Sequence, residues 1–177
     1  MRYTFEHGKP PELSESRVLC VTPDPLDTNI LWLGTYGTGL NRYDKSNGTF
    51  TAFTQQNGLP DNTVYSILAD EFGNLWLGTN NGLCRFDSRT HAVRNYTVAD
   101  GLQSNEFNLG AALRTRDGRM FFGGHKGLNS FRPDDNINRT PPSVVITGFK
   151  KFGSRVEFDK PLSALKTISL SHSDNSI

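Results

Sequence analysis

The sequence predicts an all-β protein: a partial β-propeller of about three four-stranded blades, followed by the first strands of a second β module. Three observations predict it. A phrase recurs: Leu31-Trp32-Leu33-Gly34-Thr35, Leu75-Trp76-Leu77-Gly78-Thr79 and Met120-Phe121-Phe122-Gly123-Gly124. Each copy is followed by a Gly-Leu strand, at Gly39-Leu40, Gly82-Leu83 and Gly127-Leu128. Trp32 and Trp76 stand 44 residues apart and Trp76 and Phe121 stand 45 apart, a period of about 40–45 that marks a four-stranded blade. The 17 glycines and nine prolines suit a turn-rich chain, and the hydrophobic fraction of 35% is below that of an average soluble domain.

One full unit runs from 64 to 107. Val64-Tyr65-Ser66-Ile67-Leu68-Ala69 is an apolar-rich run of strand length. Asp70-Glu71-Phe72-Gly73-Asn74 is a turn, with Gly and Asn supplying the positive φ of a tight hairpin. Leu75–Thr79 is the second strand and Asn80-Asn81 a tight connection. Gly82–Asp87 is the third strand, with Leu83, Arg85 and Asp87 on one face and Cys84 and Phe86 on the other. Ser88–His91 turns the chain, and Ala92–Tyr96 is the fourth strand. Such a sheet is apolar on both faces, so it stacks against neighbours. The Trp residues recur at one register and therefore read as packing between blades rather than as a sugar-stacking platform. The third unit ends at Phe131 with no fourth-strand pattern after it. Three blades do not close a ring, since propellers have roughly 4–8. The chain is therefore expected to be the closing end of a larger propeller, with apolar outer faces that leave it marginal and self-associating alone.

Thr140-Pro141-Pro142 marks a boundary, dividing residues 1–139 from residues 140–177. Beyond it, Ser143–Phe149, Val156–Phe158 and Ile168–His172 read as strands at irregular spacing.

Charge excludes little and points nowhere: 19 basic residues face 18 acidic ones, so no nucleic-acid or anionic-membrane partner is expected. No run approaches the ~20 apolar residues of a membrane span, and Met1–His7 lacks the apolar core of a signal peptide. Cys20 and Cys84 fall at different places in the repeat and read as small buried strand residues. His7, His91, His125 and His172 are scattered. No metal or cofactor is expected.

The segments Asn57–Asn62, Asp70–Thr79 and Gly82–Asp87 resemble the two-component regulator propeller repeat, whose pattern runs G-L-P-S-N, then D-x-x-G-N-L-W-I-G-T, then G-L-x-R-F-D. The blade from 58 to 97 matches nearly throughout. The blade from 18 to 54 matches with an insertion at Pro23–Asn29, and the blade from 107 to 131 drifts, with Phe121 for Trp and Gly124 for Thr. Residues 141–177 resemble the opening of the immunoglobulin-like sandwich rich in tyrosine motifs that commonly follows these propellers. The resemblance implies the extracytoplasmic, periplasmic sensor of a bacterial signalling protein, with a homodimeric parent. Its output would be a histidine kinase, often a hybrid, or a diguanylate cyclase. The ligand it implies is a small molecule or oligosaccharide. The partners are then that ligand and the remainder of the propeller and sandwich.

In a propeller the connections from fourth to first strand and from second to third strand share one face. Here they are rich in amides, which suit sugar hydroxyls and backbone alike. Asn62 and Asn105 recur at one register and read as turn stabilisers. Tyr36, Asn80, His125 and Lys126 lie in the second-to-third connections, and Tyr36, His125 and Lys126 break the repeat; these four are the ligand-binding candidates. No catalytic residue is assigned. An alternative is a propeller lyase resembling the streptogramin lyases, with His125 and Glu106 as acid–base pair. A third reading is a protein-interaction scaffold.

Overall fold

The computed structural model describes residues 17–133 and, as backbone, the short strands at 150–151 and 154–155. The chain divides into two units, Met1–Ile137 and Asn138–Ile177. Among the described residues of the first, eleven strands form three antiparallel meanders. The first sheet holds β1 (Val18–Pro23), β2 (Ile30–Thr35), β3 (Leu40–Asp44) and β4 (Thr49–Phe53) in chain order. The second repeats it with β5 (Val64–Ala69), β6 (Asn74–Thr79), β7 (Gly82–Asp87) and β8 (Val93–Tyr96). The third has β9 (Phe107–Arg114), β10 (Met120–Gly124) and β11 (Gly127–Phe131). The anticipated strands agree to within a residue at their ends. In the second unit β12 (Lys150–Lys151) pairs antiparallel with β13 (Ser154–Arg155), a pair not anticipated from the sequence; the strands anticipated at Ser143–Phe149, Val156–Phe158 and Ile168–His172 lie outside the described residues.

The sheets stack through their first and second strands: β5 packs on β1 and β2, and β9 on β5 and β6. Strand alternation explains how. In β6, Leu75 and Leu77 point back to the first sheet, and Trp76 points forward to the third. Trp32 therefore lies fully buried among Leu75, Leu77 and Phe86, with its ring edge-on to Phe86 at 5.3 Å between centroids. Trp76 lies equally buried among Met120, Phe122 and Phe107. The two tryptophans are packing residues between sheets, as their register suggests.

Each tryptophan also anchors the turn before it. Trp32 Nε1 donates to Asp24 Oδ2 at 2.7 Å, and Trp76 Nε1 to Asp70 Oδ2 at 3.0 Å. In the third sheet, the corresponding residues are Thr115 and Phe121, so the carboxylate is lost together with the indole N–H it would accept. The Thr115 hydroxyl instead stays within the turn, donating to Asp117 Oδ1 at 2.6 Å with the Arg119 carbonyl oxygen 2.9 Å away.

Close stacking demands a residue without a side chain after the tryptophan phrase. A Cβ on Gly34 would stand 2.5 Å from Cys20 Sγ and 2.7 Å from the Val64 carbonyl oxygen of the next sheet. The Gly34→Ala variant is expected to lose about 1–3 kcal/mol, the typical cost of overpacking, in urea unfolding. A variant as stable as the parent would show that the sheets can separate freely there.

The cysteine thiols are sealed by the same packing. Burial pushes Cys20 up to about 11 and Cys84 up to about 12, so neither is a nucleophile near neutral pH.

Candidate functional site

The site is built where the sheets exchange backbone hydrogen bonds through their connections. The β4–β5 connection opens with a single 3-10 turn at Gln55–Asn57, capped by Thr54, and the β8–β9 connection repeats it at Val98–Asp100, capped by Thr97. An asparagine then folds each connection back: Asn62 Oδ1 accepts from the Gln55 N–H at 2.8 Å, and Asn105 Oδ1 accepts from the Val98 N–H at 2.9 Å. The backbone carbonyls of the same residues reach across to the preceding sheet. Asn62 O accepts from Gly37 N–H at 3.1 Å and Gly39 N–H at 2.6 Å, and Asn105 O accepts from Gly82 N–H at 2.6 Å. The two asparagines are thus stitches between blades, and the connections they join form one continuous face.

Tyr36 is half-exposed on that face, in the β2–β3 connection. Its N–H donates to the Arg17 carbonyl at 3.1 Å, and the Arg17 guanidinium lies 4.6 Å from its ring centroid, a cation–π distance. His125, in the β10–β11 turn, stands 3.5 Å from Glu106, Nε2 to Oε2, with both side chains more than half exposed. Lys126 follows it, exposed, its N–H held by Gln103 Oε1 at 2.8 Å. Asn80 is exposed in the β6–β7 turn, and its neighbour Asn81 reaches the Pro60 carbonyl at 3.4 Å. The structure therefore joins Tyr36 to Arg17 and His125 to Glu106; Asn80 sits between these pairs in chain order.

Tyr65 was read only as a strand residue. The β5–β6 ladder shifts register between Val64 and Ser66, leaving Tyr65 out of the pairing at the start of β5, and such bulges re-aim side chains. The shift recurs between Val18 and Cys20, where the intervening residue is Leu19, so the change from Leu to Tyr at a repeated bulge is the signal that could have found it. Burial raises the Tyr65 hydroxyl above the ordinary tyrosine value, and the neighbouring Tyr36, Asp61 and Glu106 add to the rise. Tyr65 is thus within electrostatic reach of the side chains on either side of it, and its hydroxyl keeps its proton.

On the turns that bound the sheets, three aspartates are held ionised. Ser46 lowers Asp44, chiefly by a side-chain hydrogen bond; the Thr90 N–H leads in lowering Asp87; and Thr115 leads for Asp117. Depressed folded values make the native state bind fewer protons than the unfolded chain, so this stabilisation is complete above the ordinary aspartate value of 3.8 and is lost as pH falls below it. Thermal unfolding midpoints should hold steady from neutral pH to that point and then decline. A midpoint that rises on acidification would contradict the assignment.

Among the described residues, no group of three His, Cys, Asp or Glu side chains is placed to hold a metal ion, and no helix is long and apolar enough to cross a membrane.

Stacked antiparallel blades with one stitched loop face define a β-propeller segment. Residues 58–81 match the family described as two component regulator propeller. Over 97 residues the chain is 39% identical to a protein named histidine kinase P4 from Formosa agariphila, a match that covers 54% of this chain and 7% of that one. The extracellular domain of the putative hybrid two component system BT3049 from B. thetaiotaomicron superposes with a TM-score of 0.64 at 22% identity, covering 75% of this chain and 18% of that chain. The extracellular domain of BT4673 from the same organism gives a TM-score of 0.55 at 27% identity, covering 72% and 17%. The chain spans less than a fifth of the length of each of these relatives.

Proposed function

We propose that this chain is part of the extracytoplasmic, ligand-sensing region of a two-component signalling protein, lying in the periplasm. The observation that carries the proposal is the two component regulator propeller repeat at residues 58–81, on a fold shared with extracellular domains of such systems. Residues 1–139 would be closing blades of the propeller and residues 140–177 the start of an immunoglobulin-like sandwich. The blades bind ligand on the stitched loop face, with oligosaccharide the ligand class and Tyr36, Asn80, His125 and Lys126 among the contacts. They catalyse nothing themselves; a histidine kinase, or a diguanylate cyclase, carries the output in a homodimeric parent. The reading is tested by the coding sequence on both sides. Further tryptophan phrases upstream, and a membrane span with kinase or cyclase motifs downstream, are expected. A short open frame with neither would overturn it.

One observation favours a second reading. His125 and Glu106 meet at 3.5 Å, a distance open to tightening in an acid–base pair. Both side chains face solvent, which screens the pair, so sensing remains the preferred reading. Turnover of a lactone-containing macrocycle that disappears in His125→Ala, with folding intact, would reverse the order.

A further inference from the structure

We propose that Arg17, Tyr36, Asp61, Tyr65, Glu106 and His125 form one binding rim across three consecutive blades, and that it takes an uncharged polyhydroxyl unit, as in a neutral sugar. The proposal rests on the ligand-sensing reading above and narrows it.

The rim follows from how the strands start. β5 packs between β1 and β9, so Arg17, Tyr65 and Glu106, at or just before the starts of those strands, stand in sequence along one edge. Tyr36 is tied to this edge on both sides. Its own N–H bonds Arg17 O, and the next residue in its loop, Gly37, bonds Asn62 O, close before Tyr65. At the far end His125 is tied to Glu106 twice, by the side-chain contact and by its N–H to the Glu106 carbonyl at 3.4 Å. Tyr65 is the middle member, left out of its ladder by the bulge, with Tyr36, Asp61 and Glu106 in electrostatic reach.

The chemistry of the rim selects the ligand. Tyr36 offers a half-exposed ring whose partner on one side is the Arg17 guanidinium. Tyr65 offers a hydroxyl that donates and accepts. Glu106 accepts, and His125 beside it donates or accepts. Asp61 spends Oδ1 on the Thr63 N–H at 2.7 Å, within its own turn, and its second oxygen remains an acceptor. Donors and acceptors therefore alternate along an aromatic surface, the pattern that vicinal hydroxyls satisfy. A ligand with its own carboxylate or sulfate would face the carboxylates of Asp61 and Glu106, two like charges; a cation stacking on Tyr36 would meet the Arg17 guanidinium already 4.6 Å from that ring's centroid.

The test is made on the full chain, labelled with 3-fluorotyrosine and titrated in parallel by 19F NMR and calorimetry. Tyr36→Phe and Tyr65→Phe assign the two resonances. The probes are cellobiose, maltose, lactose and gentiobiose, against digalacturonate and glucosamine. A neutral disaccharide is expected to move both resonances along the calorimetric isotherm, and Glu106→Gln to weaken that binding by about tenfold, as for a hydrogen bond to a charged group. Heat from any sugar without movement of both tyrosines overturns the rim and leaves sensing intact. Binding confined to the charged probes overturns the ligand class. No heat from any probe overturns the rim and the oligosaccharide reading together.

Discussion

Sedimentation velocity should show the 177-residue chain associating as its concentration rises, and the Leu113→Glu/Leu128→Glu variant sedimenting as a folded monomer. The register of the sheets is the reason. Leu113 and Leu128 are about 60% exposed on the third sheet, flanking half-buried Phe121, which pairs with Leu113 across the ladder. Their counterparts in the second sheet are Leu68, Trp76 and Leu83, which pack against the third sheet. At the other end Val21 is 55% exposed, beside Leu31 and Leu33, with which β1 pairs Pro23 and Val21. The counterparts of those three are Ile67, Leu75 and Leu77, which close over Trp32. The two outer faces are therefore the two halves of the interface already formed twice inside the molecule. One copy's third sheet fits a second copy's first sheet, head to tail. Two copies would supply six sheets, within the roughly 4–8 of closed propellers. Each side chain fully buried contributes about 1.5–3 kcal/mol, so two glutamates on this face should weaken association by roughly 100-fold or more. A wild-type chain that remains monomeric at every concentration, or a double variant that associates equally well, would refute the interface.

The Asp70→Ala variant should lose about 2–4 kcal/mol, a large part of the margin of a small domain. Asp70 is buried and accepts from four donors: the N–H groups of Phe72 and Asn74 at 2.9 and 2.8 Å, the Asn74 side-chain amide, and Trp76 Nε1. Alanine leaves the buried Trp76 indole N–H and the part-buried Phe72 and Asn74 donors without the carboxylate, and a buried donor left unmade costs about 1–3 kcal/mol. Asp24 does the same work in the first sheet, accepting from Leu26 N–H, Asp27 N–H and Trp32 Nε1. It is only half-buried, so water replaces part of what Asp24→Ala removes, and its cost should be the smaller. Urea unfolding of the two variants decides the point. Equal losses, or an Asp70→Ala chain within about 0.5 kcal/mol of wild type, would show that the aspartate–indole bond is incidental.

Much of the fold was legible because blades are local. Each strand pairs with the next in the chain, so the tryptophan phrase, its glycine and the turns between them fix the ladders with no distant information. The role of Trp32 and Trp76 was legible for the same reason: a large ring repeated at one register is a packing feature. The stitching by Asn62 and Asn105 was half legible. Their repetition pointed to a structural role, but their carbonyls reach the preceding blade, which only the stack shows. Phe121 shows the other limit. Its register is that of the tryptophans, yet it is half-buried on an outer face, because what would cover it is not another part of the described stack.

The site was the least legible part. Tyr36 and His125 were singled out because they break the repeat, and Glu106 was noted beside His125. Arg17 and Tyr65 gave no such signal within a single blade. They join the others only because first strands lie side by side across blades, bringing residues 48 and 41 positions apart, as Arg17 to Tyr65 and Tyr65 to Glu106, onto one edge. By itself, the sequence determined the strands, their order and the faces that bury, since alternation and turn chemistry act over a few residues. Only the tertiary structure decided which loops meet and which side chains share a rim, since hydrogen bonds and packing between blades set those distances.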